Sequence, residues 1–502
     1  MLSSLLLAWY DAHGRALPFR GTKDPYRIWI SEIMLQQTRT ETVGAYYRRF
    51  LAAFPDVYAL AAAPMQEVLK CWEGLGYYSR ARNMHRAANE IVQKYGGRFP
   101  ADLDALRTLP GVGDYTAAAV GSIAFGLPAP AMDGNLTRVL SRVHGVREDV
   151  GAPSVKRKLL DLARDDMPAA RCGDFNQALM DLGAMVCVPG TPDCESCPLK
   201  PLCSAYQAGD ADALPVKTAA KPPREIAMAV SVITCRGRVY LRQRKEALLN
   251  GLWVYQLTEN PETQADVEKA QKALGIRAKR GKELGRARHV FTHRVWNMAV
   301  YHDLAESLSC REGRFFTRKE MEALPIPTAM RFAREQAVSL LTPRIMPAEE
   351  ALLPAVARRW AESWQDSHRD MCSEAFFRAH GPGQMEERLR IAIAAGRQVY
   401  CLSIGGETAG MLMLDKAENE LVSLYIAPDF QGLGIGRAAM AFAINALDQS
   451  RDMKLTVLCQ NERAKRLYAR FGFQEITETR VLDAERNLLE ETRVRKPGPK
   501  EE

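Results

Sequence analysis

Residues 109–126 read LPGVGDYTAAAVGSIAFG, and the fold of the first two hundred residues turns on them. Leu109-Pro110 closes one helix, Gly111-Val112-Gly113 makes a tight turn, and an apolar helix follows. Gly111 and Gly113 lack side chains, so their backbone N–H groups can approach an anion closely, and the next helix adds the positive end of its dipole. The segment reads as a helix–hairpin–helix that holds phosphate. A plain αα-hairpin with a glycine turn is the alternative from this stretch alone. Outward from it, apolar residues recur at three and four from Leu2 to about Met185, a helical pattern throughout.

Two carboxylates stand in that region. Glu32 lies in RIWISEIMLQQT, with Ile28 one turn before it and Leu35 and Gln36 one turn after. Desolvation on so apolar a face raises a carboxyl pKa and keeps a general acid protonated. Its alternative is an ordinary surface glutamate. Asp133, in APAMDGNLTRVLSRV, precedes a helix beginning near Asn135 and reads first as an N-cap. A carboxylate there can cap and still face a cationic transition state, the paired-carboxylate logic of glycosidic bond cleavage.

Cys187, Cys194, Cys197 and Cys203 are spaced with six, two and five residues between them. A central Cys-x-x-Cys brings two thiolates together and the flanking cysteines complete four ligands, in a loop stiffened by Pro189, Pro192 and Pro198. Structural zinc takes the same donor set, so spacing leaves zinc and an iron–sulfur cluster both open. The other cysteines of the eleven are scattered, against a secreted disulfide framework and in keeping with a reducing cytoplasm.

At 502 residues the chain calls for several domains. Its formal charge of +8 permits nucleic acid without requiring it. No run reaches the roughly 20 apolar residues of a membrane span, and MLSSLLLAWYDAHGR lacks the basic start and small-residue cleavage site of a signal peptide. GDADALPVKTAAKPPRE (209–225) reads as a linker. Strand-like AMAVSVITC and RVYLRQR follow, and this mixed segment ends near Pro343. A third block from Arg344 shows two helical stretches, then strands at Gln398–Ile404, Gly410–Leu414 and Leu421–Ile426. Gln431-Gly432-Leu433-Gly434-Ile435-Gly436 then opens a helix, a nest of N–H groups suited to a pyrophosphate. The last dozen charged residues are expected to fray.

MLQQT after Glu32, GLGYYSRARN (74–83), LPGVG (109–113), MDGN (132–135) and the four-cysteine set together resemble the MutY family of adenine DNA glycosylases, within the endonuclease III superfamily. The resemblance implies a [4Fe–4S] cluster on the four cysteines. It makes Glu32 the acid that protonates adenine and handles water, and Asp133 the carboxylate that faces the sugar cation. Gln37, Thr38 and Tyr77 match positions that engage the duplex beside a flipped base, and Arg20, in ALPFR, matches the adenine-pocket region, with Phe19 where the family has Trp. Bifunctional relatives place a lysine two residues after the second hairpin glycine. Here that residue is Tyr115, whose phenol cannot form a Schiff base, so efficient strand cleavage is not expected.

The resemblance runs to about residue 343. VYLRQRKEALLNGLWVYQL and RARHVFTHRVWNM resemble the family's Nudix-like domain, and Phe291-Thr292-His293 matches its Phe-Ser-His loop that reads 8-oxoguanine, with threonine for serine. VEKAQKALGI lacks the Glu-rich metal helix of a Nudix hydrolase, so no pyrophosphatase is expected. The third block resembles the GNAT acetyltransferases: Gln431, Gly432, Gly434 and Gly436 match the acetyl-CoA pyrophosphate motif, Asn461 a cofactor-side position and Tyr468 the acid for the leaving thiolate. No convincing general base stands out: Glu420 is near the start of the motif strand, and an exposed strand residue is its alternative.

The expected architecture is therefore multidomain. It comprises an all-α helix–hairpin–helix glycosylase with an iron–sulfur loop (1–208), a linker (209–224), an α+β Nudix-like domain (225–343) and an α/β GNAT domain (344–502). The expected partners are double-stranded DNA with adenine opposite 8-oxoguanine or guanine, acetyl-CoA and an amine acceptor, in a cytoplasmic, nucleoid-associated monomer. Two other readings remain: an endonuclease III-like glycosylase/lyase acting on oxidised pyrimidines, and a C-terminal block that only binds.

Overall fold

The computed structural model describes residues 1–218, 222–368, 381–483 and 488–497. Residues 219–221 of the expected linker and 498–502 of the tail lie outside them. The chain divides into two compact units. One holds Met1–Pro222 with Arg244–Leu252 and Pro325–Thr328, and the other holds Pro223–Gln243, Trp253–Leu324 and Ala329–Glu502. Among the described residues no helix is long and apolar enough to cross a membrane.

The first unit is helical. Asp24 accepts the Tyr26 N–H at 2.9 Å and Pro25 takes the first turn, which starts the helix Pro25–Leu35. Ile28, Trp29, Ile30, Ile33 and Met34 of that helix enter a core shared with the helices Thr40–Ala53, Ser79–Tyr95 and Asp114–Phe125. A second core joins Leu2 and Leu6 to the helices Gly134–Val143, Pro153–Asp166 and Cys172–Met185.

The Gly209–Thr218 stretch, which composition marks as linker, instead packs on this core. Leu214 is buried, its carbonyl accepts from Arg142 Nε at 3.0 Å, and Val216 O accepts from Val150 N at 3.0 Å. A single apolar residue and carbonyl partners distant in sequence anchor it, neither of which composition can show.

The second unit contains two sheets. β1 (Arg224–Cys235), β2 (Arg238–Gln243), β3 (Trp253–Val254), β4 (Gln256–Glu259), β5 (Ala278–Val290), β6 (Arg294–Ala305) and β7 (Arg314–Phe316) form the first. Its order is β3-β2-β1-β6-β5, with β1 and β6 parallel. β8 (Arg344–Pro347), β9 (Gln398–Ile404), β10 (Glu407–Asp415), β11 (Glu420–Ile426), β12 (Met453–Leu458), β13 (Glu475–Asp483) and β14 (Leu488–Arg495) form the second, in the order β13-β14-β12-β11-β10-β9-β8.

The charged end of the chain was expected to fray, yet β14 continues to Arg495. Val494 is buried and its backbone pairs with Lys454 of β12. The two sheets meet at their turns: Thr234 Oγ1 bonds His302 Nε2 and donates to Gly405 O, both at 2.7 Å, Gly405 N donates to Leu340 O, and Arg236 N donates to Glu407.

Candidate active sites

In the helical unit, three chain-distant groups converge. Tyr115, at the start of the helix after the hairpin, donates its hydroxyl to Glu32 Oε2 at 2.6 Å. Glu32 is 6% exposed, and burial drives its pKa up against the opposing pull of the Tyr115 bond and the Arg20 charge. Asp133 faces the same space, and its charge raises the pKa of both Glu32 and Tyr115.

Asp133 does cap the helix Gly134–Val143, accepting from Leu136 N at 2.7 Å and from Asn135 Nδ2 at 3.0 Å. Burial still raises its pKa. Arg20 is held by Asp181, a fully buried carboxylate that Arg15 also grips at 2.7 Å, so its charge is fixed near Glu32.

Gln37 and Tyr77 both sit in left-handed backbone, at φ of 57° and 46°, a conformation rare for such residues and kept where surroundings enforce it. The enforcing group is Arg80, which sequence reasoning passed over. Its guanidinium donates to Ile33 O and Met34 O at 2.8 and 2.9 Å, to Gln36 O, to Thr38 Oγ1 at 3.1 Å, and to Leu75 O and Gly76 O at 3.2 and 3.3 Å. It also lies over the rings of Trp72 and Tyr77. Burial pulls its pKa down to about 10.

Asn176, buried, was missed as well. It accepts from Ala131 N and donates to Ala129 O and Ser122 Oγ, fixing the segment that delivers Asp133. In the hairpin, Gly111 has φ +77°, and a Cβ there would stand 2.6 Å from Asn83 Cβ, while open space surrounds the corresponding position at Gly113.

Cys187, Cys194, Cys197 and Cys203 line one cavity of about 20 Å³. Among the described residues, no group of three or more His, Cys, Asp or Glu side chains is arranged to hold a metal ion. The donor set still suits a thiolate-bound group. The four cysteines share one space, and Arg142 reaches Cys187 Sγ at 3.3 Å, a cation that would offset thiolate charge when the cysteines ligate a group. Arg142 also holds Val188 O and Gly190 O, and Arg138 holds Cys187 O.

In the first sheet, Phe291-Thr292-His293 forms the turn from β5 to β6. Thr292 and His293 are exposed, and Phe291 packs edge-on against His289 and Trp296.

In the second sheet, β11 and β12 are parallel but pair only at Glu420/Lys454 and Leu421/Leu455. Beyond that they splay, and Val422–Ile426 and Thr456–Leu458 line a cleft of about 1740 Å³. Gln431, Gly432, Gly434 and Gly436 line it too. Gly432 and Gly434 have φ of 80° and 85° with open space around them, ahead of the helix Ile435–Ala446. Asn461 caps the helix Glu462–Ala469 through Ala464 N at 3.0 Å.

Tyr468 is buried beside Tyr425, and burial raises both hydroxyl pKa values, that of Tyr425 to about 12. Glu420 pairs with the closed end of β12, outside the lining. The carboxylates on the cleft include Asp366 and Glu490, the latter bonded by Arg480 at 2.9 Å. Glu490 lies in a charged tail whose strand pairing is long-range, so no local pattern points to it.

Three families match the chain: the HhH-GPD superfamily of base excision DNA repair proteins over residues 30–165, the NUDIX domain over 228–336 and the acetyltransferase (GNAT) domain over 361–484. Fold and site thus define a base-excision DNA repair glycosylase joined to a GNAT domain. The adenine DNA glycosylase of Mus musculus is 35% identical over 391 residues, covering 65% of this chain and 76% of its own. That of Homo sapiens is 33% identical over 392 residues, covering 65% and 72%. That of Buchnera aphidicola subsp. Baizongia pistaciae is 41% identical over 202 residues, covering 40% and 57%. The chain belongs to the adenine DNA glycosylase family.

Proposed function

We propose that this enzyme hydrolyses the N-glycosidic bond of adenine opposite 8-oxoguanine or guanine without efficient strand cleavage, and that its GNAT domain transfers acetyl from acetyl-CoA to an amine. The observation that carries the first activity is the buried Glu32, bonded by Tyr115 and faced by Asp133. Glu32, protonated, donates to the departing base and afterwards takes a proton from water. Asp133 supplies negative charge to the sugar as positive charge develops there. Gln37 and Tyr77 fill the space of the flipped base, and Thr292 and His293 contact the opposing base. Tyr115 offers no amine for an imine.

Incubation with a labelled A:8-oxoguanine duplex tests this reading. Breaks that appear only after hot alkali are expected. Breaks without alkali, or equal cutting of A:T, would overturn it.

Because burial lifts the folded pKa of Glu32, its proton persists at pH values where an exposed glutamate has lost it, and excision falls as pH rises through that folded value. The Tyr115 bond stabilises the carboxylate form, so Tyr115→Phe is expected to move the descending limb of the single-turnover rate to higher pH. Movement to lower pH would contradict the arrangement.

The four cysteines and Arg142 are assigned to a [4Fe–4S] cluster, which when bound would cross-link the loop. For acetyl transfer, the amine attacks the thioester carbonyl, the C–S bond breaks, and Tyr468, kept protonated by burial, gives its proton to the thiolate. Asp366 and Glu490 are carboxylates on the cleft and the candidates to take the amine's proton. Tyr468→Phe is expected to slow transfer by about 10²-fold with acetyl-CoA affinity kept. Unchanged turnover would remove Tyr468 from the acid role.

A further inference from the structure

The cleft between β11 and β12 is not walled by the GNAT domain alone. Gly237, Thr317, Arg318, Lys319 and Glu322 also line it, and all belong to the Nudix-like part of the same unit. The contact there is close. A Cβ on Gly237, in the turn from β1 to β2, would stand 2.5 Å from Leu433 Cδ1, inside the glycine-rich loop. The register agrees: Gly410 pairs with Ile426, so the 404–407 turn that meets β1 lies at the end of the sheet from which that loop departs.

The charges on this wall are unequally engaged. Arg318 is tied to Glu322 at 2.9 Å and to Thr342 at 3.0 Å, and Arg463 donates to Gln431. Lys319, in the short helix Arg318–Ala323, and Arg437, on the helix after the loop, are exposed, line the cleft and form no ion pair among the described residues. Acetyl-CoA carries three phosphate groups. The N–H nest at Gly432–Gly434 accounts for the pyrophosphate. The 3′-phosphate of the adenosine remains, a dianionic group that needs cations.

We propose that the Nudix-like part completes the cofactor site, with Lys319 binding the 3′-phosphate of acetyl-CoA across the cleft from Arg437. The inference rests on the acetyl-CoA reading above. It makes a repair domain's surface part of an acetyltransferase's specificity.

Calorimetry on the full-length chain with acetyl-CoA and with 3′-dephospho-acetyl-CoA tests it. The wild type is expected to prefer acetyl-CoA. Lys319→Glu is expected to weaken acetyl-CoA binding by about five- to tenfold, as for reversal of one partly exposed charge pair, and to leave the dephospho form within about twofold. Lys319→Gln should fall between, with an unchanged melting transition for both variants. Equal weakening of both ligands, or none of either, overturns the inference while leaving the acetyl-CoA reading in place. A wild type that binds neither ligand overturns both.

Discussion

Glu32→Gln is expected to lower adenine excision by about 10²–10⁴-fold, the range for loss of a general acid, with duplex affinity within about twofold of wild type. The amide keeps the shape of the carboxyl, and its oxygen can still accept from Tyr115, so the buried site keeps its packing. What it loses is a transferable proton. Burial is the largest influence on Glu32, above the Tyr115 bond, the Arg20 charge and Asp133. Single-turnover excision and gel-shift titration on one duplex separate the chemical step from binding. Excision within tenfold of wild type would take Glu32 out of the acid role, whatever the binding result.

The second large effect is expected at Arg80. Arg80→Met keeps much of the side-chain length but removes donors to the carbonyls of Ile33, Met34, Gln36, Leu75 and Gly76. Each buried carbonyl left without a partner costs about 1–3 kcal/mol, so the loss is expected to reach about 3 kcal/mol or more. The melting transition of the helical unit should fall by roughly 6–12 °C. Excision should fall by about 10²-fold, because the backbone of Gln37 and Tyr77 is no longer pinned. Arg80→Lys restores charge without the planar fork and should rescue little. A stable, fully active Arg80→Met variant would show that these loops hold their conformation unaided.

Glu32, Asp133, the hairpin and the four cysteines were legible because each is a local pattern: an acid on an apolar face, a cap before a helix, glycines at a turn, thiols at ligand spacing. The glycine-rich loop opening a helix was legible for the same reason. Arg80, Asn176 and Arg142 were not. Their work is to donate to backbone carbonyls up to 72 residues away in sequence, and every residue offers a carbonyl. The left-handed backbone at Gln37 and Tyr77 is likewise flanked by Arg80 bonds, to Gln36 O, Thr38 Oγ1 and Gly76 O, and neither side chain favours it. The pairing of β13 and β14 escaped notice because charged strands resemble a solvated tail until a buried residue such as Val494 is located.

The seam between the two sheets has a mechanical consequence. β6 runs unbroken from Arg294, beside the Phe291–His293 turn, to Ala305, and His302 on that strand bonds Thr234, which in turn bonds Gly405. Two folded bodies on a flexible tether retain six rigid-body degrees of freedom relative to one another. Here strand, turn and seam remove them, so an object that orients the exposed turn also sets the heading of the splayed cleft.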